Sequence, residues 1–194
     1  MEITTELIKS LRDETGVSIM QCKKALEEAG GDAEKAKIIL RKQSSSIASK
    51  KSARALGAGV ASAYTHAGGG VVGAVVLACE TDFVAKNEEF AKLAYNIAMH
   101  VAAMNPQFKS REDVREEDIK AAREVFEKEA ANLPESSRMK AVEGKVESYV
   151  REKALLDQQY VKDASITVRE LINSAVQKFG ENIELVRFER LSVK

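Results

Sequence analysis

Apolar residues recur along the first forty positions at helical spacing, and polar caps separate the runs. Ile3, Leu7, Ile8 and Leu11 form one stripe, with Thr4 or Thr5 as its cap and Gly16 as its stop. Ser18 caps a second stripe of Ile19, Cys22, Leu26 and Ala29, with Gln21 three residues on as a capping-box partner. Gly30-Gly31 break it, and Asp32 starts a third helix carrying Ala36, Ile39 and Leu40. Residues 1–42 are thus predicted to be a three-helix module with a thin core. The Ser-rich and basic stretch 43–57 (Ser44-Ser45-Ser46, then Lys50-Lys51 and Arg54) predicts a flexible, partly helical linker.

From residue 58 the period changes. Val60 to Thr65, the turn Gly68-Gly69-Gly70 and Val71 to Cys79 read as a β-hairpin. Val71 to Ala78 is apolar throughout, which predicts a central strand covered on both faces. A short connection, Glu80 to Lys86, leads to Asn87, the cap of a helix over 88–104. Its stripe is Phe90, Leu93, Ala94, Ile97, Val101 and Met104, with His100 on the flank. That helix is apolar almost all round, so covering on two sides is expected. Residues 111–155 are charged and helical in pattern. Ile119, Val125, Phe126 and Leu133 mark one arm of an antiparallel hairpin, and Met139, Val142, Val146 and Val150 the other. Thr167 and Glu170 suit a capping box for a helix over 168–179. Gly180 stops it, and Ile183 to Val193 is a final strand.

The predicted class is α+β: a three-helix module over 1–42, a linker over 43–57, and a core over 58–194. That core is an antiparallel sheet packed with helices, from which a helical hairpin at about 111–155 projects.

Charge and inventory narrow the function. Thirty basic residues balance thirty acidic ones, so the bulk electrostatics favour neither nucleic acid nor an anionic membrane as partner. No apolar run is long enough to span a bilayer, and the acidic start is unlike a secretory signal, so the cytoplasm is the expected location. Two cysteines, Cys22 and Cys79, make no disulfide framework. With His66 and His100 they show no metal-ligand spacing, and neither a metal nor a cofactor is expected. The glycines at 68–70 lack the Lys-Ser/Thr of a phosphate-binding loop, so the chain is not expected to hold a nucleotide itself. A thiol site of Cys79, His100 and Asp82 would need convergence that a cysteine ending an apolar strand does not suggest. Catalysis is therefore not expected. Met20 lies off the stripe of its helix and is expected to be exposed. Phe83 sits in a polar connection, and two readings stay open: folded back on the core, or an exposed wedge for a partner's pocket.

At several of these places the sequence resembles the elongation factor Ts family. Leu7-Ile8-Lys9 through Thr15-Gly16 and Met20-Gln21-Cys22-Lys23-Lys24-Ala25-Leu26 look like its N-terminal module, of the UBA-like kind. Val17-Ser18 stands where that family commonly has Ala-Gly. Cys79-Glu80-Thr81-Asp82-Phe83-Val84-Ala85-Lys86-Asn87 resembles its signature loop. Ile97 to Ala103 is similar to its core helix, and Gly180-Glu181-Asn182-Ile183 with Arg187-Phe188 to its last strand. The resemblance implies a guanine-nucleotide exchange factor that binds elongation factor Tu, GDP-bound and nucleotide-free, and promotes GDP release. It assigns Arg12, Ile19 and Met20 to docking. It assigns Thr81, Asp82, Phe83 and Val84 to a loop that disturbs the partner's Mg²⁺ and phosphate site, and His100 to contact with a second domain of Tu. The chain shows one hairpin-plus-helix core unit where long members carry two related halves, and the resemblance implies a homodimer that supplies the second half. An adaptor whose three-helix module binds a partner without exchange activity is the alternative.

Overall fold

The computed structural model describes residues 3–193. The outermost ends of the expected module and core, at Met1, Glu2 and Lys194, lie outside the described residues. Mixed helix and antiparallel sheet make this an α+β chain. The helices are α1 (Thr5–Thr15), α2 (Ile19–Glu28), α3 (Ala33–Lys51), α4 (Asp82–Ala85), α5 (Glu88–Met104), α6 (Glu116–Glu129), α7 (Glu135–Lys153) and α8 (Val168–Phe179). The strands are β1 (Ala58–Thr65), β2 (Val71–Cys79), β3 (Gln159–Tyr160), β4 (Asp163–Thr167) and β5 (Ile183–Ser192). Sheet order is β1-β2-β5, with a separate β3-β4 pair. Residues divide into two compact units, and the division cuts through β1, β2, α5, α8 and β5.

The first unit holds the chain through Ala61, Val76–Ala94 and Glu170–Val186. Its helix starts are set locally. The side chains of Thr4, Ser18 and Asp32 accept from the amides of Leu7, Gln21 and Lys35. Gly16 closes α1 in the left-handed region, φ +69°. Leu11, Val17, Cys22, Ala25, Leu26, Ala36 and Leu40 form the small core, with Ile3, Leu7, Ile8 and Ile39 packed around it.

Three expectations fail in this unit. Ile19, expected on the buried face of α2, is 58% exposed, and Ala25 takes its place inside. Ile19 is the first residue of α2, ahead of Cys22, Ala25 and Leu26, the buried residues of that helix. Gln21 does not complete a capping box, because its side chain pairs with Gln177 of α8 at 3.1 Å. The linker expected over 43–57 to be flexible and partly helical is helix as far as Lys51, more of it than expected. Ser44 is buried there and donates its hydroxyl to the carbonyl of Arg41, so the serines do not break the helix. α3 and the turn after α1 also meet α8. Ser45 meets Asn173 at 3.3 Å, and the Lys178 stem lies over the Gly16 turn.

The second unit holds Ser62–Val75, Tyr95–Arg169 and the described chain from Arg187 onward. Here α5 lies against β2 at close range: a Cβ at Gly73 would stand 2.1 Å from the carbonyl oxygen of Ala98. A five-residue turn joins α6 to α7, and Ala130, Val142 and Val146 pack with Ile119 and Phe126 between them. Arg123–Glu143 and Lys145–Glu129 ion pairs link the two helices. Val125, Leu133 and Met139, expected on the apolar seam, are exposed instead. The short β3-β4 pair was not foreseen.

β2 is central, as its composition predicts, but only one of its faces is fully covered. Gly73, Val75, Leu77 and Cys79 are buried, whereas Val76 is exposed. α5 likewise buries Phe90, Leu93, Ala94, Ile97, Ala98, Val101 and Ala102, while Tyr95 and Met104 are exposed. Among the described residues, covering on both sides is not found. Among the described residues, no helix is long and apolar enough to cross a membrane.

Candidate functional site: a braced loop with an exposed aromatic

The connection after β2 is not irregular. Asp82–Ala85 is one helical turn, α4, with Ala85 and Lys86 amides donating to the carbonyls of Thr81 and Asp82. A single turn has little stability of its own, so its position depends on anchors. Val84 is one anchor: it is buried, at 3% exposure. Thr81 is the other. Its amide donates to Glu181 Oε2 at 3.0 Å, and its hydroxyl donates to Glu181 Oε1 at 2.5 Å. Asp82 pairs with Lys86 one turn on, at 2.7 Å. Phe83 lies between the anchors. With Val84 turned inward, the residue about 100° earlier on the turn points away, and Phe83 is 81% exposed. The open choice between a folded-back Phe and an exposed one falls to the exposed one.

Of the four loop residues named by the resemblance, then, Phe83 presents an exposed side chain, and Asp82 an exposed carboxylate paired with Lys86. Thr81 is exposed but already bonded, and Val84 is core. Burial of Val84 sets how the loop turns.

Arg12, Ile19 and Met20 are all exposed, Met20 at 63% as its place on the helix predicts. Arg12 stands in the last turn of α1 and the other two open α2, so the Gly16–Ser18 turn collects them at one corner of the module. Arg12 has its own neighbour, Asp13, at 3.3 Å.

His100 differs from its expectation. It is not at a core margin but wholly buried. Nδ1 accepts from the Val161 amide at 3.1 Å, which leaves Nε2 to donate to Gln158 Oε1 at 2.8 Å. Gln158, itself buried, donates onward to the Glu152 carbonyl. Burial pushes the imidazole's pKa below its ordinary value, against the opposing pull of Gln158. The ring itself reaches no surface. What it supports does: Val161 is exposed, and Met104, Asn105, Arg151 and Gln159 line a cleft of about 600 Å³ that Gln158 floors. Gln158 and Val161 had no distinguishing signal in the sequence.

The thiol reading has no geometry behind it. The Cys79 thiol donates to the Thr81 carbonyl at 3.3 Å, His100 is committed to Gln158 and Val161, and Asp82 to Lys86. Burial first, and then the charge of Glu181, raise the pKa of Cys79, the opposite of an activated nucleophile. Among the described residues, no three of His, Cys, Asp and Glu are grouped to hold a metal ion.

Fold and site together define an α+β protein that carries an exposed aromatic, Phe83, on a braced helical turn. A family model described as Elongation factor TS matches residues 33–193. Elongation factor Ts of Thermotoga petrophila is 46% identical over 193 residues, covering 100% of this chain and 97% of the relative. The Coprothermobacter proteolyticus protein of that name is 44% identical over 192 residues, covering 98% of each. That of Carboxydothermus hydrogenoformans is 44% identical over 193 residues, covering 98% of this chain and 89% of the relative. The chain belongs to the elongation factor Ts family, and so to the elongation factors of protein biosynthesis.

Proposed function

We propose that the chain is a guanine-nucleotide exchange factor that binds elongation factor Tu, GDP-bound and nucleotide-free, and speeds GDP release. The observation that carries this is Phe83, a large aromatic 81% exposed on a braced helical turn. Burying such a ring in a partner supplies binding energy, and a pre-shaped loop loses little freedom on docking. Asp82 beside it brings an acidic group to a partner's Mg²⁺ and phosphate site. A nucleotide diphosphate is held there largely through the metal and phosphate contacts. If the wedge fits the distorted, empty form of the partner better, linkage requires that it weaken GDP binding by the same factor. No bond is made or broken by this chain, and it needs no cofactor of its own.

Docking belongs to Arg12, Ile19 and Met20 at the corner of the UBA-like module. A second contact, with another domain of Tu, lies over Val161 and Met104, with His100 holding the Val161 backbone from beneath. Exposed Val76 and Tyr95 support a homodimer in which each copy covers the other. The protein acts in the cytoplasm, with neither nucleic acid nor membrane as direct partner. The test is release of fluorescent GDP from Tu with the parent and with Phe83→Ala. Stimulated release that needs Phe83 supports exchange by the wedge. Tight binding with no stimulated release by the parent supports the adaptor instead.

A further inference from the structure

We propose that Glu181 is a positioning residue for the Phe83 loop, holding the wedge in its protruding geometry through Thr81. This rests on the exchange reading above. Thr81 occupies the N-cap place of α4, where a threonine hydroxyl ordinarily accepts from an amide of the first turn. Here it makes no such bond. It donates outward instead, and the Glu181 carboxylate takes both the hydroxyl and the amide of the same residue. Charge-assisted pairs of this kind fix direction as well as distance. The two chain segments are locked reciprocally: Glu80 Oε1 accepts the Asn182 amide at 2.6 Å, while Glu181 accepts that of Thr81.

The brace is itself held. Gly180 has φ +74°, a backbone state that glycine adopts without strain, and it turns the chain out of α8 so that Glu181 faces the loop. Lys51, at the end of α3, donates to the Gly180 carbonyl at 2.7 Å. The buried Asn182 amide group donates to the Arg54 carbonyl at 3.2 Å. Without Glu181, the Thr81 amide and hydroxyl lose their acceptor, α4 keeps the buried Val84 and the weak Cys79 thiol bond to the Thr81 carbonyl as its side-chain anchors, and Phe83 is free to swing about them. A misplaced wedge lowers exchange out of proportion to any loss of fold.

Two measurements test this in the full-length protein. Amide hydrogen exchange on the free protein reads the brace directly. Glu181→Ala should lose protection at the Thr81 amide by about tenfold or more, with α8 and β5 unchanged. Glu181→Gln, which keeps a neutral acceptor, should fall between. Unchanged protection at Thr81 overturns the proposal. Stimulated GDP release from Tu reads the consequence. Glu181→Ala should slow it by about tenfold when Phe83 is present and by less than about twofold in the Phe83→Ala background. An equal loss in both backgrounds also overturns the proposal, because Glu181 would then act independently of the wedge. If Phe83→Ala releases GDP as fast as the parent, the exchange reading is what fails. Thr81 protection alone then upholds or overturns the brace.

Discussion

His100 lies wholly inside the protein with its Nε2 2.8 Å from Gln158 Oε1, and its other nitrogen accepts the amide of Val161. A neutral ring satisfies both bonds, and a protonated one does not. His100→Ala should therefore leave Gln158 and Val161 short of partners and open a cavity. The expected cost is about 2–4 kcal/mol, seen as a melting temperature lower by about 5–15 °C.

The same burial predicts a pH dependence. The folded-state pKa of His100 is depressed below its ordinary 6.5, so the unfolded chain binds this proton more readily. The contribution is fully present above about pH 6.5. It is lost as pH falls below that toward the folded-state value. Melting curves at pH 7.5 and pH 5.5 should show a larger drop for the parent than for His100→Gln, which cannot titrate. Equal drops contradict a buried neutral His100.

Gly73→Ala should destabilise the protein more than any surface change. Its Cβ would stand 2.1 Å from the Ala98 carbonyl oxygen and 2.7 Å from the Ala102 amide nitrogen, both backbone atoms of a packed helix. Separating β2 from α5 to make room should cost about 2–4 kcal/mol. Denaturant unfolding measures it.

At the docking corner, Ile19→Ala and Met20→Ala should leave melting within about a degree of the parent, because both side chains are exposed. Association with Tu should weaken by about tenfold for each if they are contact anchors. Titration calorimetry separates the two outcomes.

What was legible in the sequence follows the range of the forces involved. Caps and stops act within four residues, so Thr4, Ser18, Asp32, Gly16 and Gly180 read correctly. The β1-β2 hairpin read well for the same reason. Features fixed by distant neighbours did not. The serines at 44–46 looked like linker, yet the helix around them runs on to Lys51 and Ser45 meets Asn173, 128 positions away. His100 looked marginal because its partners, Gln158 and Val161, are about sixty residues away and carry no pattern. A two-residue strand such as β3 has too few positions to show a period. In the loop, the outward turn of Phe83 follows from Val84 packing inward, and periodicity over so short a segment could not say which of the two would be buried. Glu181 was visible only as part of a motif; its bond to Thr81 spans 100 positions.

The central claim is that Phe83 is a wedge and not a core residue. Its ring is 81% exposed, so Phe83→Ala should melt within about a degree or two of the parent. A truncated contact anchor costs on the order of 2–4 kcal/mol of partner binding. Part of that should appear in nucleotide release, because the contact forms best with the distorted partner. The measurement is stimulated release of fluorescent GDP from Tu, taken with a melting curve on the same variant. The account predicts normal melting, retained association through the N-terminal module, and release slowed at least tenfold, consistent with a loss above about 1.4 kcal/mol. A variant that releases GDP at the parental rate, whatever its melting temperature, contradicts it.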